Sequence, residues 1–202
     1  PVKDYVAGLA GRFTNVVYIG STYDEPLPRA FIDDALTGNV PVMWSGFNIW
    51  QLAKTDADRA AFTQRYGWDA ATSYIDSTDR VTKISYNGAS LKRNELNTGG
   101  ITAPHITREK DVKVLGRAEC SKPDGAATAC ASVAQSGTSS FPWAVSSSGL
   151  TFIGEIPLTY LGEQDRYIAA ADILLDVLQP SAEQYRQAAV RLEDVTPDSD
   201  PE

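Results

Sequence analysis

The strongest constraint on how this chain folds lies between Val16 and Gly67, where short apolar runs alternate with helical patterns. Val16-Val17-Tyr18-Ile19-Gly20 and Val40-Pro41-Val42-Met43-Trp44 read as strands, because each is brief, continuously apolar and rich in β-branched or aromatic residues. Between them, Pro28 to Leu36 has helical spacing, and Gly46 to Lys54 reads as a second helix. Asp56 is placed to cap a third helix through Arg65, which Gly67 closes. Strand, helix, strand in runs this short is the grammar of βαβ units on a parallel sheet.

From Trp68 to about Gly149 the text changes to Thr, Ser, Gly and Asn with period-two fragments. Val81-Thr82-Lys83-Ile84-Ser85-Tyr86 and Asp111-Val112-Lys113-Val114-Leu115 are the clearest, so this stretch reads as a β-rich antiparallel insertion. The α/β pattern resumes with Leu150-Thr151-Phe152-Ile153-Gly154 as a strand and Glu163 to Leu178 as a helix ended by Pro180. On that helix Ile168, Ala171, Leu174/Leu175 and Leu178 form an apolar stripe expected to face the core, with Asp172, Asp176 and Gln179 pointing away. The expected organisation is an α/β domain over 1–67 and 150–188, a β-rich insertion over 68–149, and the start of a further domain over 189–202. The fold class is α/β, with a flavodoxin-like or amidotransferase-like parallel sheet.

With 202 residues and 43% apolar composition the chain can bury a real core without a metal or dense disulfides. A net charge of −8 and a pI near 4.7 oppose phosphate backbones and anionic membranes, which argues against nucleic acid. The longest apolar runs fall far short of the roughly 20 residues that span a bilayer. Cys120 and Cys130 flank a turn-rich segment, Pro123-Asp124-Gly125 within it, that could bring them together as a disulfide hairpin. Such a bridge implies an oxidising compartment; the alternative is two unrelated buried thiols. One histidine, His105, leaves too few ligands of the right type for zinc here.

Ligands of open α/β sheets sit outside the carboxyl ends of the strands. The residues to weigh are therefore Ser21, Thr22, Tyr23 and Asp24 after the first strand, and Trp44, Ser45 and Asn48 at the end of the second. Glu155 follows the third strand, and Asp165 and Arg166 lie near the start of its helix. Hydroxyls, carboxylates, an amide and aromatic rings are chemistry suited to sugars, with Trp44, Trp50, Tyr23, Trp143 and Tyr160 as stacking candidates. The structural alternative makes Ser45 a helix cap, Asp24 a turn residue, and Glu155 a partner of Arg166 in a buried salt bridge. Glu155 and Asp165 also form a carboxylate pair to consider for glycoside hydrolysis, which needs two acids flanking a bond, although Asp165 and Glu163 equally suit the N-terminal end of a helix dipole with Arg166 to neutralise them. Near the end, Ala189-Val190-Arg191-Leu192-Glu193-Asp194-Val195 is an apolar run closing on paired acids. Paired acids at a strand end suit a divalent metal only with further His, Asp or Glu ligands. With none following and no initiator Met at Pro1, we expect a piece of a longer protein, whose segment 190–195 is either frayed or borrowed as an edge strand by this domain's sheet.

Pro41 to Ala53 resembles the strand, sharp turn and helix that carry the nucleophile in class I glutamine amidotransferase-like domains. The family's catalytic Cys falls on Gly46, and glycine cannot attack a carbonyl. Ser45 has no obvious base. A wider set resembles the N-terminal part of YdaL-type secreted bacterial proteins of the polysaccharide-deacetylase-like superfamily. It comprises Val17 to Asp24, Pro41 to Leu52, Ile153 to Tyr160, Asp165-Arg166-Tyr167, Ala171 to Leu174 and Arg191 to Val195. This resemblance implies a metal-dependent deacetylase-like barrel after this domain, with Arg191 to Asp194 as its first strand. Asp194 then matches the strand-end Asp that helps hold a divalent metal, zinc among the candidates, and Glu193 matches a neighbouring acid. The expected function is a non-catalytic accessory domain, extracellular or in the cell envelope, that positions the barrel or contacts polysaccharide. The alternatives are a purely structural interaction module and an independent hydrolase using Glu155 and Asp165.

Overall fold

The computed structural model describes residues 1–75, 81–93, 100–122, 124–130, 137–158 and 165–181. Tyr160, Glu163, Glu193 and Asp194 lie outside them, as does the whole expected domain start over 189–202.

The described residues form a mixed α/β fold built on one seven-stranded sheet. Its parallel half holds β1 (Val16–Gly20), β2 (Val42–Gly46) and β9 (Leu150–Ile153), side by side in that order. The antiparallel half continues from β9 through β8 (Ser140–Ser147), β7 (Lys113–Cys120) and β4 (Val81–Tyr86) to β5 (Ala89–Lys92). Segment 68–149 thus contributes four strands hydrogen-bonded into the same sheet as β1 and β2. Its other two, β3 (Trp68–Ile75) and β6 (Ile101–Ile106), pair as a small antiparallel sheet. The Thr102 N–H donates to Gly154 O at 2.7 Å, which fastens that sheet to the end of β9.

Among the described residues three α-helices cover the large sheet. On one face α1 (Arg29–Thr37) and α2 (Asp56–Tyr66) pack Phe31, Ile32, Leu36, Phe62 and Tyr66 against Tyr18, Trp44 and Phe152. Trp44 and Phe152 are fully buried there, and the tilted Tyr18–Trp44 and stacked Trp68–Phe152 pairs add ring contacts to the area removed from water. Thr55, not Asp56, caps α2: its hydroxyl accepts the Asp58 N–H at 3.1 Å. Gly67 ends that helix at φ 75°, a left-handed turn that glycine adopts without a Cβ penalty. Gly46 to Lys54 is not an α-helix; only Ile49–Ala53 winds, as a 3₁₀ turn, because Asn48 enters it in the left-handed region at φ 75°.

α3 (Tyr167–Leu178) covers the other face, and its orientation corrects the expected stripe. Ala169, Ala170 and Ile173 are buried against Met43, Ala144 and Ile153, while Ile168, Leu175 and Leu178 are 44%, 60% and 45% exposed. Two anchors fix this rotation. The Arg166 guanidinium is held in the sheet by Glu155, and the Tyr86 hydroxyl donates to Asp172 at 2.6 Å. The two alanines also allow a closer approach of helix to sheet than leucines would. Burial first, then the Asp172 contact, raises the Tyr86 pKa, so the phenol stays protonated and donating.

Cys120 and Cys130 form a disulfide across a hairpin, with Cα atoms 5.5 Å apart. Its turn is closed by Gly125 N–H to Lys122 O at 2.8 Å and by Ala126 N–H to Asp124 Oδ1 at 2.9 Å. Among the described residues no helix is long and apolar enough to cross a membrane.

Candidate functional site

The carboxyl end of the parallel strands divides into a sealed part and an open part. The sealed part centres on Glu155, just past β9 and 1% exposed at its side chain. Its Oε2 accepts from Arg93 Nε at 3.0 Å; its Oε1 accepts from Arg166 Nε at 3.0 Å and from the Trp143 indole at 2.8 Å. Arg166 Nη1 reaches Asp165 Oδ1 at 2.7 Å, and the Tyr167 N–H donates to the same oxygen at 3.1 Å. Burial opposes the Arg166 charge, but the Glu155 and Asp165 carboxylates outweigh it and its pKa is raised. Among the described residues the cluster sets two guanidiniums against two carboxylates, and each of the four is buried. One atom, Asp165 Oδ2, is buried without a hydrogen-bond partner among the described residues. Chemically this is a lock that joins α3, β5, β8 and β9. Glu155 and Asp165 are indeed brought together, and each is bound to a buried guanidinium.

Ser45 belongs to the sealed part. Its hydroxyl donates to Glu155 O at 2.8 Å instead of capping a helix. Next to it, Gly46 sits at φ 84°, and a Cβ there would meet Ile156 Cγ1 at 2.6 Å and Gly20 O at 2.9 Å. A side chain at this position would thus collide with the Gly20 backbone and with Ile156.

The open part lies beyond β1 and β2. Tyr23, Phe47, Trp50, Ala71, Thr72, Tyr74 and Thr102 line a cleft of about 590 Å³, and none of them carries a charge. Tyr23 sits between Trp50 and Phe47, with ring centroids 5.1 and 5.6 Å away, and Tyr74 lies 6.5 Å from Phe47 on the far wall. Tyr23 is 67% and Tyr74 44% exposed, so their rings face solvent. A volume in the range of small-ligand clefts and aromatic walls suit a solute with apolar faces.

Buried polar side chains hold this cleft in shape. Asn48 is wholly buried and donates to Tyr18 Oη at 3.0 Å and Thr22 O at 2.9 Å, tying the loop after β1 to the turn after β2. Gln51 accepts the Leu27 N–H at 2.9 Å and donates to Glu25 O at 2.8 Å, securing the same loop further on. The Trp44 indole donates to Phe47 O at 2.9 Å. Asp24 is an exposed turn residue at φ 56°.

Of the residues singled out from sequence, Tyr23 and Trp50 line the cleft, and Asn48 holds it. Ser21 and Thr22 border a neighbouring groove along β1. Trp44 and Trp143 are core residues at 0% exposure and offer no stacking face. Phe47, Tyr74 and Gln51 escaped the reading. Phe47 had a signal, since it shares the turn with Asn48; Tyr74 had none, because β3 meets the turn after β2 only through tertiary packing. Among the described residues no group of three His, Cys, Asp or Glu side chains converges, and the two residues matched to a metal-binding strand lie outside them. Comparison with protein-family models, curated proteins and solved structures returns no match.

Proposed function

We propose that this domain is an accessory module that contacts uncharged polysaccharide through the aromatic cleft, alongside a deacetylase-like catalytic domain to which any divalent metal belongs. The single observation that carries the glycan reading is the constellation of Tyr23, Trp50, Phe47 and Tyr74 around an open cleft at the ligand-binding end of a parallel sheet. Pyranose rings present C–H faces to aromatic rings and hydroxyls to their rims, and Thr72 lines the cleft beside those rings. The Cys120–Cys130 bridge supports an extracellular or cell-envelope setting. The link to a deacetylase, and an amidotransferase-like ancestry for the parallel half, rest on the sequence resemblance.

Intrinsic tryptophan fluorescence tests the reading, because Trp50 lies in the cleft while Trp44, Trp68 and Trp143 are fully buried. Uncharged cell-wall and exopolysaccharide oligomers should change the emission saturably, and Trp50→Phe should remove most of that change. No saturable response across a broad panel of neutral oligomers contradicts it.

A further inference from the structure

The part of the aromatic cleft that comes from β3 is an interrupted strand. Trp68 and Asp69 pair with Ile106 and His105, and the register resumes only at Ser73, which pairs with Ala103. Ala70, Ala71 and Thr72 of β3 thus stand against the single residue Pro104 of β6. Proline has no N–H to give to a ladder, so a paired strand accommodates it best opposite a bulge. Ala70 is fully buried, whereas Ala71 is exposed and lines the cleft with Thr72. Two of the three residues that leave the ladder therefore reach the site.

A bulge takes backbone donors out of the regular ladder, and here a side chain takes one of them up. The Ala71 N–H donates to Asp69 Oδ1 at 2.9 Å, a bond from a backbone amide to the carboxylate two residues before it. Asp69 is 7% exposed, and Arg59, reaching across from α2, donates through Nε to both of its oxygens at 3.1 Å. The guanidinium holds the carboxylate, and the carboxylate holds the bulge. Asn48 and Gln51 secure the loop that carries Tyr23; Asp69 is the corresponding tie on β3.

We infer that Asp69 is a positioning residue for the cleft: its carboxylate fixes the bulge through which Ala71 and Thr72 meet a bound sugar, while Asp69 itself is not among the residues that line the cleft. This role rests on the glycan reading. Its two bonds serve different ends, since the ion pair with Arg59 contributes to stability and the bond to Ala71 sets the shape of the site. Substitution can therefore separate them.

Asp69→Ala and Asp69→Asn both remove the ion pair, but only asparagine keeps an oxygen that can accept from Ala71. The two variants should lose similar stability in thermal unfolding. Asp69→Ala should nevertheless bind about fivefold more weakly than Asp69→Asn to whichever neutral oligomer saturates the Trp50 emission of the unsubstituted chain. Without ligand, the Ala71 amide should exchange slowly in the unsubstituted chain and in Asp69→Asn, and about fivefold faster in Asp69→Ala. Equal affinities in the two variants overturn the assignment, as does an Ala71 amide that exchanges freely in the unsubstituted chain. A silent oligomer panel removes the glycan reading and this role with it, whereas a freely exchanging Ala71 amide removes the role of Asp69 and leaves the glycan reading standing.

Discussion

The two halves of the carboxyl end of the sheet are built from residues of opposite promise. Past β9 stand carboxylates and guanidiniums, the usual currency of catalysis, and each is buried and paired. Past β1 and β2 stand mostly uncharged aromatic residues, and they line an open cleft. Charged groups at a strand end are thus no better evidence of chemistry than rings are of packing; what decides is whether the backbone around them leaves space. At Gly46 it leaves none, and at Tyr23, held out by the loop that Asn48 and Gln51 secure, it does.

The largest expected effect breaks the sealed half. Glu155→Gln leaves Arg93 and Arg166 without their shared carboxylate, and it should cost about 3–5 kcal/mol in denaturant unfolding. A loss under about 1 kcal/mol would mean that the cluster is more solvated than its burial indicates. Replacing both Cys120 and Cys130 by Ser opens a loop of sequence separation 10 and should lower stability by about 2–3 kcal/mol, with the reduced native protein matching the variant.

In the open half, binding and stability should separate. Tyr23→Ala removes a ring that is 67% exposed, so oligosaccharide affinity should fall about tenfold, or about 1.4 kcal/mol, with the melting temperature nearly unchanged. Equal losses of binding and stability would make Tyr23 a packing residue. The smallest effect is on acid stability. Asp58 accepts from Arg29 and from Thr55, and the guanidinium holds its pKa below the ordinary carboxylate range. The pair therefore stabilises above roughly pH 4 and the contribution is lost as pH falls through the lowered value. Arg29 is 57% exposed and screened, so Asp58→Asn should flatten the acid limb of the stability profile by less than about 1 kcal/mol.

Much of the framework was legible because it depends on local pattern. β1, β2, α1 and β9 lie close to where apolar runs and helical spacing placed them, and the turn residues Pro123, Asp124 and Gly125 pointed to the Cys120–Cys130 bridge. The errors arose where distant residues decide. The face of α3 that looks most apolar in sequence is the exposed one, because Glu155 and Tyr86, far away in the chain, set its rotation. Trp44 appeared as a stacking surface and is core, since in a parallel strand covered on both faces every position is buried. Tyr74 reaches the cleft by packing against Phe47, a long-range contact that no spacing rule reveals.

Backbone amide shifts on titration with a neutral polysaccharide fragment test the division between the two halves most directly. The account predicts saturable shifts at Tyr23, Phe47, Trp50 and Tyr74 and none at Ser45, Glu155 or Arg166. Shifts centred on Glu155 and Asp165 with a silent aromatic cleft would contradict it.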